Sequence, residues 1–207
     1  MYLLARLFSN DGMTAVLVFG GIYASSTFGW GPITMIAFGI ELSVFAVLGG
    51  FLGGWLDNHL GSKNAIFVSI GGTTIFGLLS LTMGPDRILW FIPYDVNGPH
   101  LWAAPFFSTW PELIFLGIVN FIAVLITAGY ANSRTMLARI APPERMTEFF
   151  GLYSLSGQST SFLATGFVGW LTLYSGSQRI GLLGETLFLV IGLVLMFFVK
   201  EQRTEAI

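Results

Sequence analysis

The feature that most constrains this chain is a series of apolar stretches, each about as long as a bilayer is thick. A helix needs about 20 mainly apolar residues to cross the hydrocarbon core. Six stretches meet this need, at about residues 2–24, 32–56, 64–83, 111–134, 149–174 and 180–199. The runs do not alternate apolar and polar residues, which argues against a membrane β-barrel. We therefore predict an all-α, multi-pass membrane protein with six transmembrane helices in a single domain over residues 1–207.

The composition agrees with a membrane protein and argues against several classes of function. Only 10% of the residues are charged, compared with about 25% in soluble domains. A net charge of −2 offers no basic surface for nucleic acid, and the absence of cysteine leaves no thiolate metal site. His59 and His100 are expected on opposite sides of the membrane, so they cannot share one metal. No nucleophile triad or phosphate-binding loop is visible, and we expect no cofactor, no metal and no enzymatic activity.

The distribution of Lys and Arg predicts the orientation, because cytoplasmic loops carry the excess of positive charge. In the six-span arrangement only Arg87 and Arg179 fall on the outer side. The inner side holds Arg6, Lys63, Arg134, Arg139, Arg145, Lys200 and Arg203. Both termini are therefore expected to be cytoplasmic. The protein itself is expected in a bacterial inner membrane or an organelle membrane. At the end of the fourth span, Arg134 and Arg139 are expected to anchor the helix at the interface.

We predict a long outer loop at about residues 84–110, within the segment Gly84–Pro111. This segment is not expected to span the membrane. It carries five prolines and three tryptophans, and proline interrupts helices. Tryptophan and tyrosine favour the membrane interface, where an apolar ring keeps a polar edge in water. The loop either lies along the lipid headgroups or docks against another subunit, and the sequence leaves both interpretations open.

Two carboxylates lie deep within predicted spans. Asp11 is about nine residues from the inner end of the first span, and Glu41 is about nine residues from the outer end of the second, so both lie roughly 13 Å deep. Since the two spans are antiparallel neighbours, we expect these side chains to approach one another. Ionisable groups are costly in a membrane and often mark function. We assign Asp11 and Glu41 to proton or substrate handling; alternatively, they only hold helices together. Glu185 is expected near the outer interface.

A set of polar residues recurs with helical spacing in the fifth span. The set is Ser154, Gln158, Ser161 and Thr165. Their spacing of i, i+4, i+7 and i+11 places them on one face of a continuous helix. Such a face turns inward, where it lines a water-filled cavity or hydrogen-bonds to another helix. Both alternatives stay open, and Asn120 in the fourth span is a further candidate for substrate or proton handling.

Four glycines form two overlapping G-x-x-x-G pairs at the inner end of the second span. They are Gly49, Gly50, Gly53 and Gly54. Glycines with this spacing leave bare backbone on one helical face, so that a neighbouring helix can approach closely. We predict a packing face at this end of the second span.

The loop that follows these glycines resembles a loop of the major facilitator superfamily. In that superfamily the pattern G-x-x-x-D-x-x-G-x-K joins the second and third helices of each six-helix half. Here the pattern is formed by Gly53, Asp57, Gly61 and Lys63. Asn58 and Ser62 stand where basic residues are common. The resemblance implies that the four pattern residues form a conformational gate loop on the inner side.

Two further strings are similar to one family within that superfamily. NDGMTAVLVFGGIYA from Asn10 and SRTMLARIAPPERMTEFFGLYSLSGQSTSFL from Ser133 resemble the second half of the vacuolar amino-acid effluxer family. With the Asp57 loop, the resemblance covers nearly the whole chain. Gln158 stands where that family often has lysine, and Ala164-Thr165 replaces a frequent Gly-Pro.

The resemblance implies secondary transport by one half of a transporter. A complete transporter of this superfamily has twelve helices in two six-helix halves around a central site. We expect a half-size, proton-coupled transporter of a small polar solute, such as an amino acid, that works as a dimer with a copy of itself or with a separate second half. The alternative is a non-transporting accessory or assembly subunit of a larger membrane complex, with contacts through Gly84–Pro111 and its lipid-facing helices.

Overall fold

Long α-helices make up most of the described chain. The computed structural model describes residues 1–96, 101–103, 106–158 and 160–199, apart from the side chains of Gln158 and Ser161. The helices are α1 (Tyr2–Phe28), α2 (Pro32–Leu60), α3 (Ser62–Ser80), α4 (Trp110–Ile140), α5 (Met146–Gln158), α6 (Ser161–Ser175) and α7 (Gln178–Phe197). A 3-10 turn occupies Pro143–Arg145, and two short strands lie at Arg87–Ile88 (β1) and Ile92–Pro93 (β2).

Three helices of the described part of the chain are long and apolar enough to cross a membrane: α2, α4 and α7. Their 29, 31 and 20 residues correspond to lengths of about 30 to 46 Å at 1.5 Å per residue. The first and third predicted spans are occupied by α1 and α3. The structure therefore supports a mainly helical membrane protein, while the six-span topology and the cytoplasmic termini stay predictions.

The fifth predicted span, about residues 149–174, is not one helix. It is divided into α5, which ends at Gln158, and α6, which begins at Ser161. At the break, the Thr160 hydroxyl donates to the Ser156 carbonyl oxygen at 3.0 Å. Serine and threonine side chains that bond to nearby carbonyls compete with helix hydrogen bonds and bend helices. The prediction of a single polar face running along one continuous helix is therefore wrong.

The helices pack in two groups that meet along α7. In the first group α4 lies against both α2 and α3, and in the second α1 and α6 lie against α7. Contacts of α7 with α3 join the groups, while α5 packs on α1. Close approach of α1 and α7 uses glycine: a Cβ on Gly192 would lie 2.2 Å from the Ser9 hydroxyl, and one on Gly12 would lie 2.8 Å from Leu189.

The glycine-rich end of α2 packs on α4 through two of its four glycines. A Cβ added to Gly49 would lie 2.4 Å from the Val124 carbonyl oxygen, and one added to Gly53 would lie 3.0 Å from the Ala128 Cα. Around Gly50 and Gly54 the space is open. The packing face predicted from the sequence thus uses one G-x-x-x-G pair, and the other pair faces outward.

The outer loop begins with a small hairpin of the antiparallel strands β1 and β2. Leu89 and Trp90 in its turn have φ values of 50° and 61°. Arg179 ties the start of the loop to the bundle, because its Nη2 donates to the Met83 carbonyl oxygen at 3.1 Å. The tip is apolar and exposed, with Phe91 the most open side chain at 88%. Residues 97–100, which include His100, and 104–105 lie outside the described residues.

Candidate functional site

A buried arginine occupies the contact between α1 and α5. Arg6 is only 8% exposed. Its Nη1 donates to the Tyr153 carbonyl oxygen at 2.6 Å and to the Ser156 hydroxyl at 2.8 Å. The guanidinium carbon lies 3.3 Å from the centre of the Tyr153 ring, a cation–π arrangement. From the sequence alone, Arg6 contributes only to the cytoplasmic charge excess; the fold brings it into the bundle.

Asp11 lies on the same helix as Arg6 and is fully buried. The Thr160 hydroxyl donates to Asp11 Oδ1 at 3.3 Å, and Oδ2 has no hydrogen-bond partner among the described residues. Next to it, Asn10 Nδ2 donates to the Gly157 carbonyl oxygen at 3.3 Å. Polar side chains of α1 therefore hold both sides of the break between α5 and α6.

These contacts form one polar cluster in the inner half of the bundle. We call it the inner polar cluster, and its members are Arg6, Asn10, Asp11, Thr14, Tyr130, Tyr153, Ser156 and Thr160. Arg6, Asn10 and Thr14 recur every four residues, so one face of α1 supplies three of them. The Thr14 and Tyr130 hydroxyls, 3.5 Å apart, extend the cluster to α4. Beside it lies a cavity of about 20 Å³, which is enough for about one water molecule.

Glu41 and Asn120 form a second polar contact, between α2 and α4. Asn120 Nδ2 donates to Glu41 Oε1 at 2.7 Å. Glu41 Oε2 and Asn120 Oδ1 are both buried and have no partner in the described part of the chain. Two residues that were selected separately from the sequence are thus brought together. An added proton on Glu41 would turn one of these unsatisfied acceptors into a donor.

Asp11 and Glu41, which are expected to approach one another, have different hydrogen-bond partners in the structure. Asp11 contacts the helix break through Thr160, whereas Glu41 contacts α4 through Asn120. The physical reason is the packing order: α1 lies mainly against α7 and α6, while α2 lies mainly against α4 and α3. Neighbours in sequence are therefore not the closest neighbours in space here.

Two of the four residues selected from the fifth span have described side chains, and they lie on different helices. Ser154 on α5 is exposed and Thr165 on α6 is half-buried. The side chains of Gln158 and Ser161 lie outside the described residues. Thr160 contacts Asp11 instead, and its signal in the sequence is the polar triplet Gln-Ser-Thr at 158–160, where the helix is interrupted.

The predicted gate loop joins α2 and α3 to α4 through Asp57. Arg139 Nη2 lies 2.7 Å from Asp57 Oδ2, and the Ser62 hydroxyl donates to Asp57 Oδ1 at 2.5 Å. Gly61 has a φ of 81°, a value that favours glycine, and its N–H donates to the Asp57 carbonyl oxygen at 3.0 Å. Arg139, expected to be an interfacial anchor, is thus a partner of Asp57, and Ser62 contributes a hydrogen bond where a basic residue is common.

The last residue of the loop pattern contacts α7. Lys63 Nζ donates to the carbonyl oxygens of Phe197 at 3.1 Å and Val199 at 2.5 Å. A cation at the carboxyl end of a helix bonds the free carbonyls and interacts favourably with the helix dipole. Three of the four pattern residues therefore connect the two helix groups at the inner end: Gly53 and Asp57 contact α4, and Lys63 contacts α7. Their role as a conformational gate stays a prediction.

The Asp57 contacts give a first prediction. Asp57→Ala is expected to lower the free energy of unfolding by about 1–3 kcal/mol, because it removes a charge-assisted hydrogen bond and leaves the Ser62 hydroxyl without this acceptor. The measurement is thermal or denaturant unfolding of the purified chain in detergent. As a control, Glu148→Ala breaks the Arg145–Glu148 pair, whose side chains are 64% and 61% exposed, and such pairs contribute about 0–1 kcal/mol. Equal effects of the two variants would contradict a structural role for the loop.

Comparison with known proteins identifies the family. The family model described as "Vacuole effluxer Atg22 like" matches residues 1–206. Two curated relatives, both named Autophagy-related protein 22 and from two strains of Cryptococcus neoformans var. neoformans serotype D, are each 24% identical over 204 residues. The alignments cover 98% of this chain but 34% and 35% of the relatives, so the chain spans about a third of their length. The resemblance seen in the sequence is confirmed. The chain belongs to the vacuole effluxer Atg22-like family, which is of the major facilitator type and consists of transporters, not enzymes.

Proposed function

We propose that this chain is a six-helix half of a secondary transporter, which moves a small polar solute such as an amino acid with protons and works together with a second half. The second half is another copy of the chain or a separate partner. Family membership and the apolar helices support a transporter in an organelle membrane. The observation that carries the proposal is that α1 places a buried guanidinium, Arg6, and a buried carboxyl, Asp11, against the same broken helix.

The inner polar cluster has the donors and acceptors that a zwitterion needs. A guanidinium binds carboxylates through several N–H donors, and only Nη1 of Arg6 is engaged in the contacts with Tyr153 and Ser156 described above. Asp11 Oδ2 is an acceptor without a partner in the described chain, which suits an ammonium group. The two residues are five positions apart on α1, about 7.5 Å along the axis. Arg6 bonds to Tyr153 and Ser156 on α5, and Asp11 to Thr160 at the break.

The break between α5 and α6 supports a site that opens and closes. Substrate sites of transporters typically lie where membrane helices are discontinuous, and such points act as hinges. Here both Arg6 and Asp11 are buried, and the adjacent cavity of about 20 Å³ is too small for an amino acid. The structure therefore corresponds to a closed cluster, and a movement of α5 away from α1 would admit the solute.

Glu41 is the proposed site of the coupling proton. Glu41→Gln keeps the shape of the side chain but removes its ability to gain and lose a proton. Proton-driven uptake into liposomes containing the purified chain is expected to fall by at least about tenfold. The exposed carboxyl of Glu148 provides the matched control, since Glu148→Gln is expected to transport normally. Uptake that is unchanged in the Glu41→Gln variant would remove Glu41 from the mechanism.

A non-transporting accessory subunit is the second candidate, and the exposed hairpin of the outer loop favours it. Trp90, Phe91 and Ile92 are each more than half exposed at its tip, and aromatic residues are enriched in protein interfaces. If this candidate is right, the gently solubilised chain copurifies in a fixed ratio with a large complex, and deletion of residues 90–105 releases it. Recovery of only free dimers would count against it.

A further inference from the structure

A third buried carboxyl lies in the outer half of the bundle, apart from the inner polar cluster. Glu185 on α7 is 5% exposed, and its Oε2 has no hydrogen-bond partner among the described residues. Its position near the outer interface stays a prediction; the structure adds that the side chain is buried, on a helix that packs against α1, α3 and α6. Glu185 lines a cavity of about 90 Å³ between α1, α2, α3, α4 and α7.

The walls of this cavity are mostly apolar, and one side opens between α1 and α2. The inner wall includes Leu182, Phe115 and Val119, which are all buried. At the opening, Leu17 is exposed and Gly20 is partly exposed. A volume of about 90 Å³ holds several water molecules, since one water needs about 10–15 Å³ by this measure. The cavity is therefore reached through the gap between α1 and α2.

The titratable groups around the cavity do not neutralise Glu185. Of its described lining residues, Tyr23 and Glu185 alone are titratable. Tyr23 on α1 is bonded through its hydroxyl to Leu81 and Met83 carbonyl oxygens.

Charged groups on the surrounding helices have other partners. Arg179, six residues earlier on α7, donates to the Tyr23 hydroxyl and to Met83. Glu41 on α2 accepts from Asn120 on α4, Glu112 on α4 accepts from Trp30 and Thr109, and Asp11 on α1 accepts from Thr160. The α6 sequence carries no charged residue, and Lys63, the single charged residue of α3, contacts the inner end of α7.

We propose that Glu185 is a proton-binding site, which is entered from the gap between α1 and α2. An unpaired carboxylate in apolar surroundings is unfavourable, because it loses its hydration without gaining a charge partner. A proton removes this cost, and the cavity has room for the water that delivers it. If the transporter proposed above is correct, the second half covers the gap in one conformation, so that the proton exchanges when the gap is open and is retained when it is closed. The covering of the gap by a second half rests on the proposed function, whereas the proton site itself does not.

Carbodiimide labelling tests the site without any transport. Dicyclohexylcarbodiimide is apolar and adds to a protonated carboxyl: the carboxyl oxygen bonds to the central carbon, the proton moves to nitrogen, and rearrangement gives a stable N-acylurea. The purified full chain is labelled in lipid nanodiscs from about pH 5 to about pH 9, and each carboxyl is quantified by peptide mass spectrometry. We expect labelling of Glu185 to exceed that of the exposed Glu144 and Glu148 by at least about tenfold at neutral pH and to fall as the pH rises.

Two glycine variants test the entrance. Gly20 lines the cavity with no atom within 4 Å of its hypothetical Cβ, and Gly39 on α2 has equally open space but does not line the cavity. Gly20→Leu is expected to reduce Glu185 labelling severalfold, and Gly39→Leu to leave it unchanged. Labelling no stronger than at Glu144, labelling independent of pH, or equal labelling in the two glycine variants would overturn the proposal. Because the readout is chemical, this result is separable from a failure of solute transport.

Discussion

Arg6→Gln is expected to reduce solute uptake about 100-fold. Truncating one side of a buried, hydrogen-bonded charge interaction costs about 2–5 kcal/mol, and about 3 kcal/mol corresponds to about 100-fold in rate. Glutamine retains a polar side chain but has neither the charge nor the planar fork that stacks on Tyr153 and donates to its carbonyl oxygen. Arg6→Lys keeps the charge without the fork, so we expect an intermediate loss. Uptake is measured in liposomes containing the purified variants.

A matched control separates the solute site from the packing of α5 on α1. Ser156→Ala removes one of the two hydrogen bonds that Arg6 Nη1 makes to α5, and is expected to cost about 1 kcal/mol of stability. Because the Arg6 charge remains, we expect it to reduce uptake far less than Arg6→Gln does. Unfolding curves of each variant show whether the fold is retained. A folded Arg6→Gln variant with wild-type uptake would show that Arg6 only holds the two helices together.

Gly49→Leu is expected to prevent stable packing of α2 on α4. Its Cβ would lie 2.4 Å from the Val124 carbonyl oxygen and 2.9 Å from the Val124 Cα. Since these are backbone atoms, no side-chain rotation relieves the overlap, and the helices must separate. We expect a loss of at least about 3 kcal/mol of unfolding free energy, seen as a lower melting temperature or as aggregation during purification.

Gly50→Leu is the control for this variant, because it changes the adjacent residue in the same way. Gly50 faces outward, and its hypothetical Cβ has no neighbour within 4 Å. Leucine suits a lipid-facing position and raises the helix propensity by nearly 1 kcal/mol relative to glycine, so we expect stability to be unchanged or slightly increased. Similar destabilisation by both substitutions would contradict the assignment of Gly49 to the α2–α4 contact.

Much of the local structure follows from the sequence because it depends on residues close together in the chain. Apolar runs predict where the helices lie, since the helices of a membrane protein satisfy their own backbone hydrogen bonds. Gly61 and Asp57 belong to a loop pattern. The glycine of this pattern already indicates a position where the backbone needs a positive φ. The break at Thr160 is not visible in the sequence, because a polar triplet inside an apolar run also fits a continuous amphipathic helix.

The candidate site was harder to predict, because it depends on which helices become neighbours. Arg6 and Glu185 both lie close to predicted helix ends, where charged side chains usually extend to the interface. Their burial follows from the packing of α1 on α5 and of α7 between its neighbours, which no local pattern encodes. For the same reason Glu41 was predicted to approach Asp11, although its partner is Asn120.

The central claim is that the inner polar cluster binds the transported solute. Counterflow exchange of labelled amino acids, by liposomes that contain only this purified chain, tests it most directly. We expect wild-type exchange above that of protein-free liposomes, and at least about tenfold less exchange in Asp11→Asn, which removes the charge that pairs with the solute ammonium. Asp11→Asn that is folded and exchanges amino acids at the wild-type rate would contradict the claim.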